Sequence, residues 1–158
     1  MKMIAAVGRN YEIGVNNALP WHSPTDLKLF KQLTKDSNVV MGYRTMESLK
    51  RPLSERYNLV LINYHGFIPN GFYHASLEDV VSLKDEPVWV IGGAKTYSLL
   101  MPFVTEIWLS HMSVDVTNAD TFFPAESMRS LGFKPVEAVY TQHEIKGEPC
   151  FTQIVYRR

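Results

Sequence analysis

The stretch of sequence that decides the fold reads Val88-Trp89-Val90-Ile91-Gly92-Gly93-Ala94-Lys95-Thr96-Tyr97. Its first four residues are a continuous apolar run, the pattern of a short strand buried on both faces of a sheet. The two glycines end this strand and open a helix that we expect to run to about Leu100. Paired glycines at such a junction let backbone N–H groups approach a phosphate closely, but a tight strand-to-helix turn also favours glycine. The spacing is not that of the dinucleotide-binding fingerprint, so both interpretations stay open.

Short apolar runs alternate with helical segments on both sides of this stretch. The apolar runs predict strands at residues 4–7, 38–41, 58–62, 72–74, 87–91 and 106–113. Two longer and more polar strand patterns follow at residues 133–143 and 150–157, with the turn signal Lys146-Gly147-Glu148 between them. This tail predicts an antiparallel hairpin at one edge of the sheet.

The helical segments begin at recognisable signals. Ser23 is a preferred N-cap and Pro24 suits the first helical position, so a helix is predicted from there to about Lys35. Shorter helices are predicted up to about Lys50 and over residues 77–83. Strands that alternate with helices and end in an antiparallel pair predict an α/β domain, with one mixed, mostly parallel central sheet flanked by helices. Ligands bind beyond the carboxyl ends of the strands in such sheets, so we expect the chemistry there.

Composition and charge exclude several classes of protein. The chain has 158 residues, of which 46% are hydrophobic and 20% charged, which predicts a single folded domain over residues 1–158 and excludes disorder. The 16 basic residues balance 16 acidic residues, so no overall attraction to nucleic acid or to an anionic membrane is expected. Cys150 is the single cysteine and no apolar run reaches about 18 residues, so we expect a soluble protein of the reducing cytoplasm.

Asp26 is the first candidate for chemistry. In a helix, Asp26, Phe30 and Leu33 lie on one face, so the carboxylate shares an apolar stripe that could be carried into a cleft. Burial there would raise the pKa of the carboxyl group. The alternative is an ordinary acidic residue in a first helical turn, where the helix dipole favours it. Spacing alone leaves both interpretations open.

Arginines near other strand ends are candidates for binding anions. Gly42-Tyr43-Arg44-Thr45 follows a predicted strand and opens a helix, an arrangement that suits a phosphate monoester. Arg44 could equally be a solvated surface charge. Arg51 and Arg56 lie close together in the next loop and could hold a carboxylate, although isolated arginines often have no specific partner.

The histidines indicate neither a metal site nor a hydrolase. The chain has 5 histidines, none at metal-ligand spacing, so no metal is expected. His22 lies beside Trp21 in the first long loop, where it is a candidate general acid but is more typical of a surface histidine. A nucleophile elbow and a Walker sequence are both absent from the sequence.

Several short stretches of the chain share one order and spacing with a known family. They are Ile4-Ala5-Ala6-Val7, Ile13-Gly14, Leu19-Pro20-Trp21, Pro24-x-Asp26-Leu27-x-x-Phe30-Lys31, Val40-Met41-Gly42, Arg44-Thr45-x-Glu47-Ser48, Arg51-Pro52-Leu53, Arg56, Val90-Ile91-Gly92-Gly93, Tyr97 and Asp120-Thr121-x-Phe123-Pro124. Together, over nearly the full length of the chain, these stretches resemble dihydrofolate reductase. The resemblance implies hydride transfer from NADPH to C6 of dihydrofolate with a proton delivered to N5. It also implies antifolate inhibitors as further small-molecule ligands, and we expect a monomer.

The resemblance implies a substrate site centred on Asp26. This carboxylate would hold the amidine-like edge of the pterin by a bidentate charge-assisted bond and would support protonation of N5 through water. Ser110 stands where the family usually has a threonine bonded to that acid, and its hydroxyl keeps the contact. Arg56 would hold the α-carboxylate of the glutamate of the substrate, with Arg51 nearby. The residues expected to contact the substrate's rings are Ile4, Ala5, Leu27, Phe30, Leu49, Ile91 and Tyr97.

The resemblance implies an adjoining site for NADPH. Trp21 would lie over the reacting rings, while Arg44 and Thr45 would meet the phosphates on the adenosine side. A cis peptide bond is expected between Gly92 and Gly93. The nicotinamide would be covered by Ala6 and by a loop of Ile13, Gly14, Val15, Asn16, Asn17 and Ala18. The pyrophosphate and the nicotinamide ribose would be held by Gly92, Gly93, Ala94, Lys95, Thr96 and Tyr97.

The chain departs from the family pattern at several cofactor positions. Ile62-Asn63-Tyr64-His65 lies where many members place serine or arginine against the 2′-phosphate, and Tyr43 replaces a residue that is often basic. Ala94 occupies a position that is often glycine, whereas Lys95 keeps a positive charge where arginine is frequent. Preference for NADPH over NADH is therefore expected to depend on Arg44, Lys95 and Asn63.

Two other functions remain open. One is a reductase on the same fold that acts on a ribosylated pyrimidine precursor of riboflavin, against which Asp26 with Phe30 and Arg56 argue. The other is a binding or structural protein that kept the fold and lost turnover. An assay of NADPH oxidation with and without dihydrofolate separates these functions.

Overall fold

The computed structural model describes residues 1–63, 66–83 and 85–158. Within these residues, an 8-stranded sheet forms the centre of the molecule and a 2-stranded sheet lies beside it. The strands are β1 (Lys2–Val7), β2 (Glu12–Gly14), β3 (Asn38–Gly42), β4 (Tyr57–Leu61), β5 (Phe72–Ala75), β6 (Val88–Gly92), β7 (Glu106–Met112), β8 (Thr121–Phe122), β9 (Lys134–Gln142) and β10 (Phe151–Arg157). The helices are α1 (Pro24–Thr34), α2 (Tyr43–Leu49), α3 (Leu77–Ser82), α4 (Ala94–Leu100) and α5 (Ala125–Ser130), with a 3₁₀ turn at Met101–Phe103.

The strand order across the central sheet is β5-β4-β3-β6-β1-β7-β10-β9. Neighbouring strands from β5 to β7 are parallel, whereas β10 runs antiparallel to both β7 and β9. The predicted fold class, a mixed and mostly parallel sheet with a C-terminal antiparallel hairpin, is therefore confirmed. Because β10 pairs directly with β7, the hairpin continues the central sheet and brings its side chains next to those of β7.

Helices cover both faces of the sheet and bury two apolar clusters. On one face, Phe30 of α1 and Met46 of α2 pack on the central strands. On the other face, the cluster takes Val80 from α3, Leu100 from α4 and Met128 from α5. Since both faces are covered, the parallel strands need apolar side chains on both sides, which explains their continuous apolar runs in the sequence.

Most predicted elements are confirmed to within about two residues at their ends, the usual uncertainty of such boundaries. Two features differ. Residues 9–23 are expected to be irregular, but part of this segment forms β2 and pairs with β8. The helix α5 is not predicted either. It has 6 residues, as α3 has, but Ser76 forms a capping box at the start of α3 whereas Pro124, the N-cap residue of α5, makes no side-chain capping bond. Elements this short show no periodic pattern, so only a cap can indicate them from local sequence.

Part of the expected 2′-phosphate segment lies outside the described residues, namely Tyr64 and His65. Its first two residues are described: Ile62 is buried in the cluster under α1, and Asn63 is exposed. Among the residues that the structure describes, no helix has both the length and the apolar character needed to cross a membrane.

Candidate active site

The first turn of α1 is held by a network that fixes the position of Asp26. Ser23 is the N-cap, as predicted, and its Oγ accepts a hydrogen bond from the Asp26 N–H at 3.3 Å. The same hydroxyl donates to Glu148 Oε2 at 3.2 Å, and the Thr25 N–H donates to that oxygen at 3.0 Å. The bond from the Thr25 N–H lowers the pKa of Glu148, as expected for a carboxylate at a helix N-terminus. The β9–β10 connection thus anchors the helix that carries Asp26.

Asp26 lies against β7 in an environment that disfavours its charge. Burial raises the pKa of its carboxyl group, and a hydrogen bond with the Ser110 hydroxyl partly opposes that rise. Ser110 is on β7 and is 1% exposed. Among the described residues, no cationic side chain forms an ion pair with Asp26. The carboxylate is therefore more than a first-turn acid favoured by the helix dipole: it is desolvated and able to accept hydrogen bonds from a ligand.

A cleft of about 380 Å³ opens beside this carboxylate, within the usual size range of small-molecule sites. Its walls come from α1, from α2 and from the loop before α1. Leu27 is 49% exposed although it is apolar, which is typical of a surface that a ligand covers. Trp21 and Leu49 also line the cleft beside Asp26, and both are expected there from the family resemblance. The lining residues are Asn17, Ala18, Leu19, Trp21, His22, Ser23, Asp26, Leu27, Ser48 and Leu49.

The other residues expected at the substrate's rings lie on two faces of the sheet. Ile4, Phe30 and Ile91 belong to the cluster under α1, on the side of Asp26. Ala5 packs in the opposite cluster, because successive side chains of a strand alternate between the faces. Its side chain is therefore directed away from the cleft, and only its backbone is left to contact a ligand on that side.

Tyr97 lies at the junction of the two expected ligand sites. Its hydroxyl donates to the Ile4 carbonyl oxygen at 2.8 Å, and the residue is 4% exposed. Burial raises the pKa of this hydroxyl, and the negative charge of Asp26 adds to the rise. A Cβ on Gly92 would come within 3.3 Å of the same hydroxyl oxygen. Tyr97 therefore supports β1 and the glycine turn through its hydroxyl rather than offering that group freely to a ligand.

Arg56 is held at the far end of α1. Its Nε donates to the Ser54 carbonyl oxygen at 2.8 Å, and Nη1 donates to Thr34 Oγ1 at 3.0 Å. The guanidinium carbon lies 5.8 Å from the centre of the Phe30 ring, within the range of a cation–π contact. These hydrogen bonds use two of the five N–H donors of an arginine, so the group is oriented and keeps donors for an anion. Arg51, by contrast, is exposed.

Two helix N-termini meet at the carboxyl ends of β3 and β6. These strands are neighbours, with Met41 opposite Gly92, so α2 and α4 start side by side. Gly42 caps α2 and Gly93 caps α4, and neither has a side chain that could satisfy the first N–H groups of its helix. A Cβ on Gly42 would come within 2.7 Å of Thr96 Oγ1, so the approach of the two turns requires glycine. The Gly92–Gly93 peptide bond is cis, as predicted.

Basic side chains flank these helix starts. Arg44 lies in the first turn of α2 and Lys95 in the first turn of α4, and both are exposed. In the described part of the chain, neither forms an ion pair. Thr45, Ala94 and Thr96, which the sequence also predicts at the cofactor, occupy the same two helix starts. Backbone N–H groups, glycines and two cations at one place form a site suited to phosphate groups.

The loop expected over the nicotinamide is tethered to the segment before β8. The Asn16 N–H donates to Asp120 Oδ2 at 2.8 Å, and the Asp120 N–H donates to the Gly14 carbonyl oxygen at 3.1 Å. Val15 and Ala18 exchange two backbone hydrogen bonds of 2.9 and 3.0 Å. The asparagine pair between them has φ values of 48° and 62°, a left-handed conformation that asparagine tolerates. The loop therefore forms a tight turn with one external tether.

Two further predicted cofactor residues lie beside these elements. Ala6 is opposite Ser110 in the ladder between β1 and β7, which places it next to the partner of Asp26. Ile13 is partly buried in β2 and packs against the core cluster under α4. Ala6 is near the end of β1 in the central sheet, whereas Ile13 belongs to β2 of the two-stranded sheet, at the start of the loop.

Three polar residues at the site have no role predicted from the sequence: Glu148, Asp120 and Gln153. Gln153 is on β10, is 2% exposed, and donates from Nε2 to Ser110 Oγ at 3.2 Å. Each of the three acts on a segment far away in the chain. Asp120 belongs to one of the stretches that resemble the family, but no pattern in the sequence indicates its bond to Asn16. For Gln153 the available signal is a polar residue inside an otherwise β-branched and aromatic strand.

The fold and the site define an α/β protein that can bring a phosphate-bearing cofactor next to a ligand rich in N–H donors. The family model described as dihydrofolate reductase matches residues 1–158. Dihydrofolate reductase type 3 of Salmonella typhimurium is 36% identical over 140 residues, which cover 87% of this chain and 85% of that protein. The dihydrofolate reductase of Buchnera aphidicola is 35% identical over 130 residues, 78% of each chain.

A solved structure agrees with these relatives. Dihydrofolate reductase from Enterococcus faecalis, complexed with NADP(H) and RAB-propyl, superposes with a TM-score of 0.89 and 28% sequence identity. The match covers 99% of this chain and 95% of that chain. The chain belongs to the dihydrofolate reductase family.

Proposed function

We propose that this chain reduces dihydrofolate to tetrahydrofolate with NADPH and that Asp26 provides the charge on which proton transfer to the substrate depends. The reaction class follows from the family, whose members are NADPH-dependent oxidoreductases. The observation that carries the role of Asp26 is its environment, because burial raises the pKa of this carboxyl group and no cation in the described part of the chain pairs with it. Perturbed groups of this kind in a cleft are typical of functional sites.

A carboxylate without a cation partner suits a ligand that brings its own N–H donors. The amidine-like edge of a pterin presents two such groups, and Asp26 can accept both in a bidentate charge-assisted pair. The ionised carboxylate would then stabilise the positive charge that develops when N5 takes a proton from water in the cleft. Leu27, Phe30 and Leu49 would pack against the rings, and Arg56 would pair with the α-carboxylate of the glutamate.

The glycine-capped helix starts fit the phosphates of NADPH. In the part of the chain that the structure describes, a Cβ on Gly93 would meet only Thr45 Oγ1, at 3.5 Å, so the space in front of this glycine is open to a ligand. The first N–H groups of α2 and α4 can donate into that space, since no capping side chain satisfies them. Arg44 would pair with the 2′-phosphate and Lys95 with the neighbouring phosphates. When bound here, NADPH supplies the hydride.

The loop before α1 would exclude water from the reacting rings. Trp21 lines the cleft beside Asp26, and the turn from Val15 to Ala18 is tethered by Asp120 at its outer side. Excluding water strengthens the electrostatic interactions inside the cleft, and movement of such loops often limits turnover.

The activity is tested by following the absorbance of NADPH with the purified protein, with dihydrofolate present and absent. We expect oxidation that requires dihydrofolate and is much slower with NADH. Folded protein that binds NADPH without any dihydrofolate-dependent oxidation would contradict the proposal and indicate a binding protein. Oxidation that requires a ribosylated pyrimidine instead would assign the chain to the alternative reductase.

We infer that residues 1–158 act as a single-domain monomer in the cytoplasm and that antifolates compete for the cleft at Asp26. In support of the cytoplasmic location, the single cysteine, Cys150, leaves no intramolecular disulfide to form. Light scattering on the purified protein tests the monomer, and a stable dimer at low concentration would contradict it.

A further inference from the structure

A buried series of polar side chains, Gln153, Ser110 and Asp26, links β10 through β7 to α1. Gln153 and Ser110 are opposite each other in the antiparallel ladder, and they are 2% and 1% exposed. Gln153 Nε2 donates to Ser110 Oγ at 3.2 Å. The Ser110 hydroxyl in turn acts on the Asp26 carboxyl group, whose pKa it lowers against the effect of burial. Side chains that face each other across a ladder lie on the same face of the sheet, so Gln153 reaches Ser110 from the neighbouring strand β10 on the face that carries Asp26.

The direction of these hydrogen bonds follows from the donors available. A serine hydroxyl has one proton and two lone pairs, while an amide nitrogen only donates. Because the Gln153 amide donates to the hydroxyl oxygen, the single proton of Ser110 is left for Asp26. An ionised carboxylate only accepts, so the three groups form a consistent chain from amide to hydroxyl to carboxylate.

Serine depends on such a partner more than a β-branched residue would. Its unbranched side chain can occupy three staggered χ1 positions, whereas branching at Cβ restricts χ1. We propose that Gln153 is a positioning residue, whose buried amide holds the Ser110 hydroxyl in the orientation that donates to Asp26. The proposal rests on the role of Asp26 proposed above, and it adds a residue that never touches the substrate.

Substitution of Gln153 by an apolar residue removes the hydrogen bond to Ser110 without changing any charge. The titratable groups near Asp26 come from other elements: Tyr97 from α4, His22 from the loop before α1, and Glu148 at the N-terminus of α1. Gln153 contacts none of them through the hydrogen bonds described here. A change in the titration of Asp26 on substitution of Gln153 therefore reports the orientation of Ser110.

The test is Gln153→Leu, which keeps the approximate volume and removes the donor. Without it the hydroxyl is no longer held toward the carboxylate, so the charged form of Asp26 loses a hydrogen bond and its pKa rises. We expect a rise of about 0.5 to 1 pH unit, the scale of one net hydrogen bond. The shift is read in the pH profile of kcat/KM and, without substrate, by NMR titration of isotope-labelled aspartate in the full chain. Gln153→Met is the second variant if the leucine does not fold.

Thr152 supplies a control on the same strand. Its Oγ1 lies 3.4 Å from Thr141 Oγ1 of β9, and it is next to Gln153 in the chain, so its side chain is on the other face of the sheet. Thr152→Val likewise removes a side-chain hydrogen bond from β10 at nearly constant volume, and it should leave the titration of Asp26 unchanged. In a Ser110→Ala background, Gln153→Leu should have no further effect, and Ser110→Thr should restore the titration in the Gln153→Leu variant.

The outcomes separate this inference from the proposed function. If Ser110→Ala shifts both readouts and Gln153→Leu shifts neither, the positioning role is overturned while the role of Asp26 stands. Equal shifts in Thr152→Val and Gln153→Leu would also overturn it, because they would indicate a general effect on the sheet. Near-normal turnover in Asp26→Asn would contradict the proposed function itself.

Discussion

Glu106 and Asp26 are two acidic side chains packed at opposite ends of the same strand, β7, in opposite surroundings. At the amino end, Glu106 accepts hydrogen bonds from Trp108 Nε1 at 2.5 Å and from Arg157 Nε at 2.7 Å, and Lys2 Nζ lies 3.0 Å away. Toward the carboxyl end, Asp26 has the Ser110 hydroxyl, and no cation in the described ranges pairs with it.

The pKa values of the two groups follow from these partners. Burial alone would raise the pKa of Glu106, but the hydrogen bonds from Trp108, Arg157 and Lys2 outweigh it and lower the pKa to about 2. Burial dominates at Asp26, so its pKa is raised. An ionised acid that is paired with cations, such as Glu106, can support the fold. An acid without a counter-ion among the described residues, such as Asp26, is costly to bury and is available to a ligand. Glu106 therefore supports one end of the sheet, and Asp26 lies at the end where we propose that the ligand binds.

The largest effect is expected from Asp26→Asn, which removes the charge and keeps the volume. Turnover of dihydrofolate at neutral pH should fall by at least about 10²-fold, the low end for general acid–base groups. Activity should recover partly at low pH, where solvent can protonate the substrate directly. Asp36→Asn is a matched control, because Asp36 is exposed and has a φ of 55°, which asparagine also adopts. A folded Asp26→Asn protein with near-normal turnover and an unchanged pH profile would refute the assignment.

Arg44→Ala tests a cation that forms no ion pair within residues 1–63, 66–83 and 85–158, whereas Arg157 is paired with Glu106. NADPH binding should weaken by about 1.5–3 kcal/mol, the scale of a charged hydrogen bond, while NADH binding is spared. Fluorescence titration with each cofactor measures both affinities. An equal loss for NADH and NADPH would show that Arg44 does not contact the 2′-phosphate, and Lys95 and Asn63 would be tested next.

Glu106→Gln should lower stability and leave the cleft intact. The free energy of unfolding should fall by about 1–2 kcal/mol at neutral pH, because a neutral amide keeps only part of the network and the partners are partly exposed. The folded-state pKa of Glu106 is lowered, so its contribution is full above the ordinary value of 4.5 and is lost as the pH falls toward about 2. The variant should therefore lose less stability than the wild type over that window in urea unfolding. Glu137→Gln, at an exposed position of β9, is the control.

The smallest effect is expected on the stability of Asp26→Asn. The folded-state pKa of Asp26 is raised, so the ionised group disfavours the fold at neutral pH, and the wild type gains relative stability as the pH falls through that pKa. The variant should have an equal or higher Tm at neutral pH, and the difference should close at acid pH. Thermal unfolding between about pH 5 and 8 tests this. A clearly lower Tm of the variant at neutral pH would mean that Asp26 supports the fold, as Glu106 does.

Local sequence was sufficient for much of the framework. Ser23 and Pro24 mark the start of α1 because capping and a fixed φ act within one turn, and the strand before Gly92 is visible because its residues are apolar on both faces. Spacing placed Asp26 on an apolar helix face but left its role open. Its contact with Ser110 was expected from the family resemblance and not from any local pattern.

The features that distinguish the two ends of the sheet depend on register and packing instead. Lys2, Glu106 and Arg157 meet because β1, β7 and β10 are aligned at their ends, and Gln153 faces Ser110 because the same ladder sets them opposite each other. The pairing of β2 with β8 and the anchoring of α1 by Glu148 likewise join distant segments. Local propensities act over a few residues, whereas partners across a ladder are chosen only when the whole sheet is packed. Residue types and spacing therefore determined the helices, the strands and the candidate acid. The tertiary structure decided which acid is paired with cations and which has no cationic partner among the described residues and can accept a ligand.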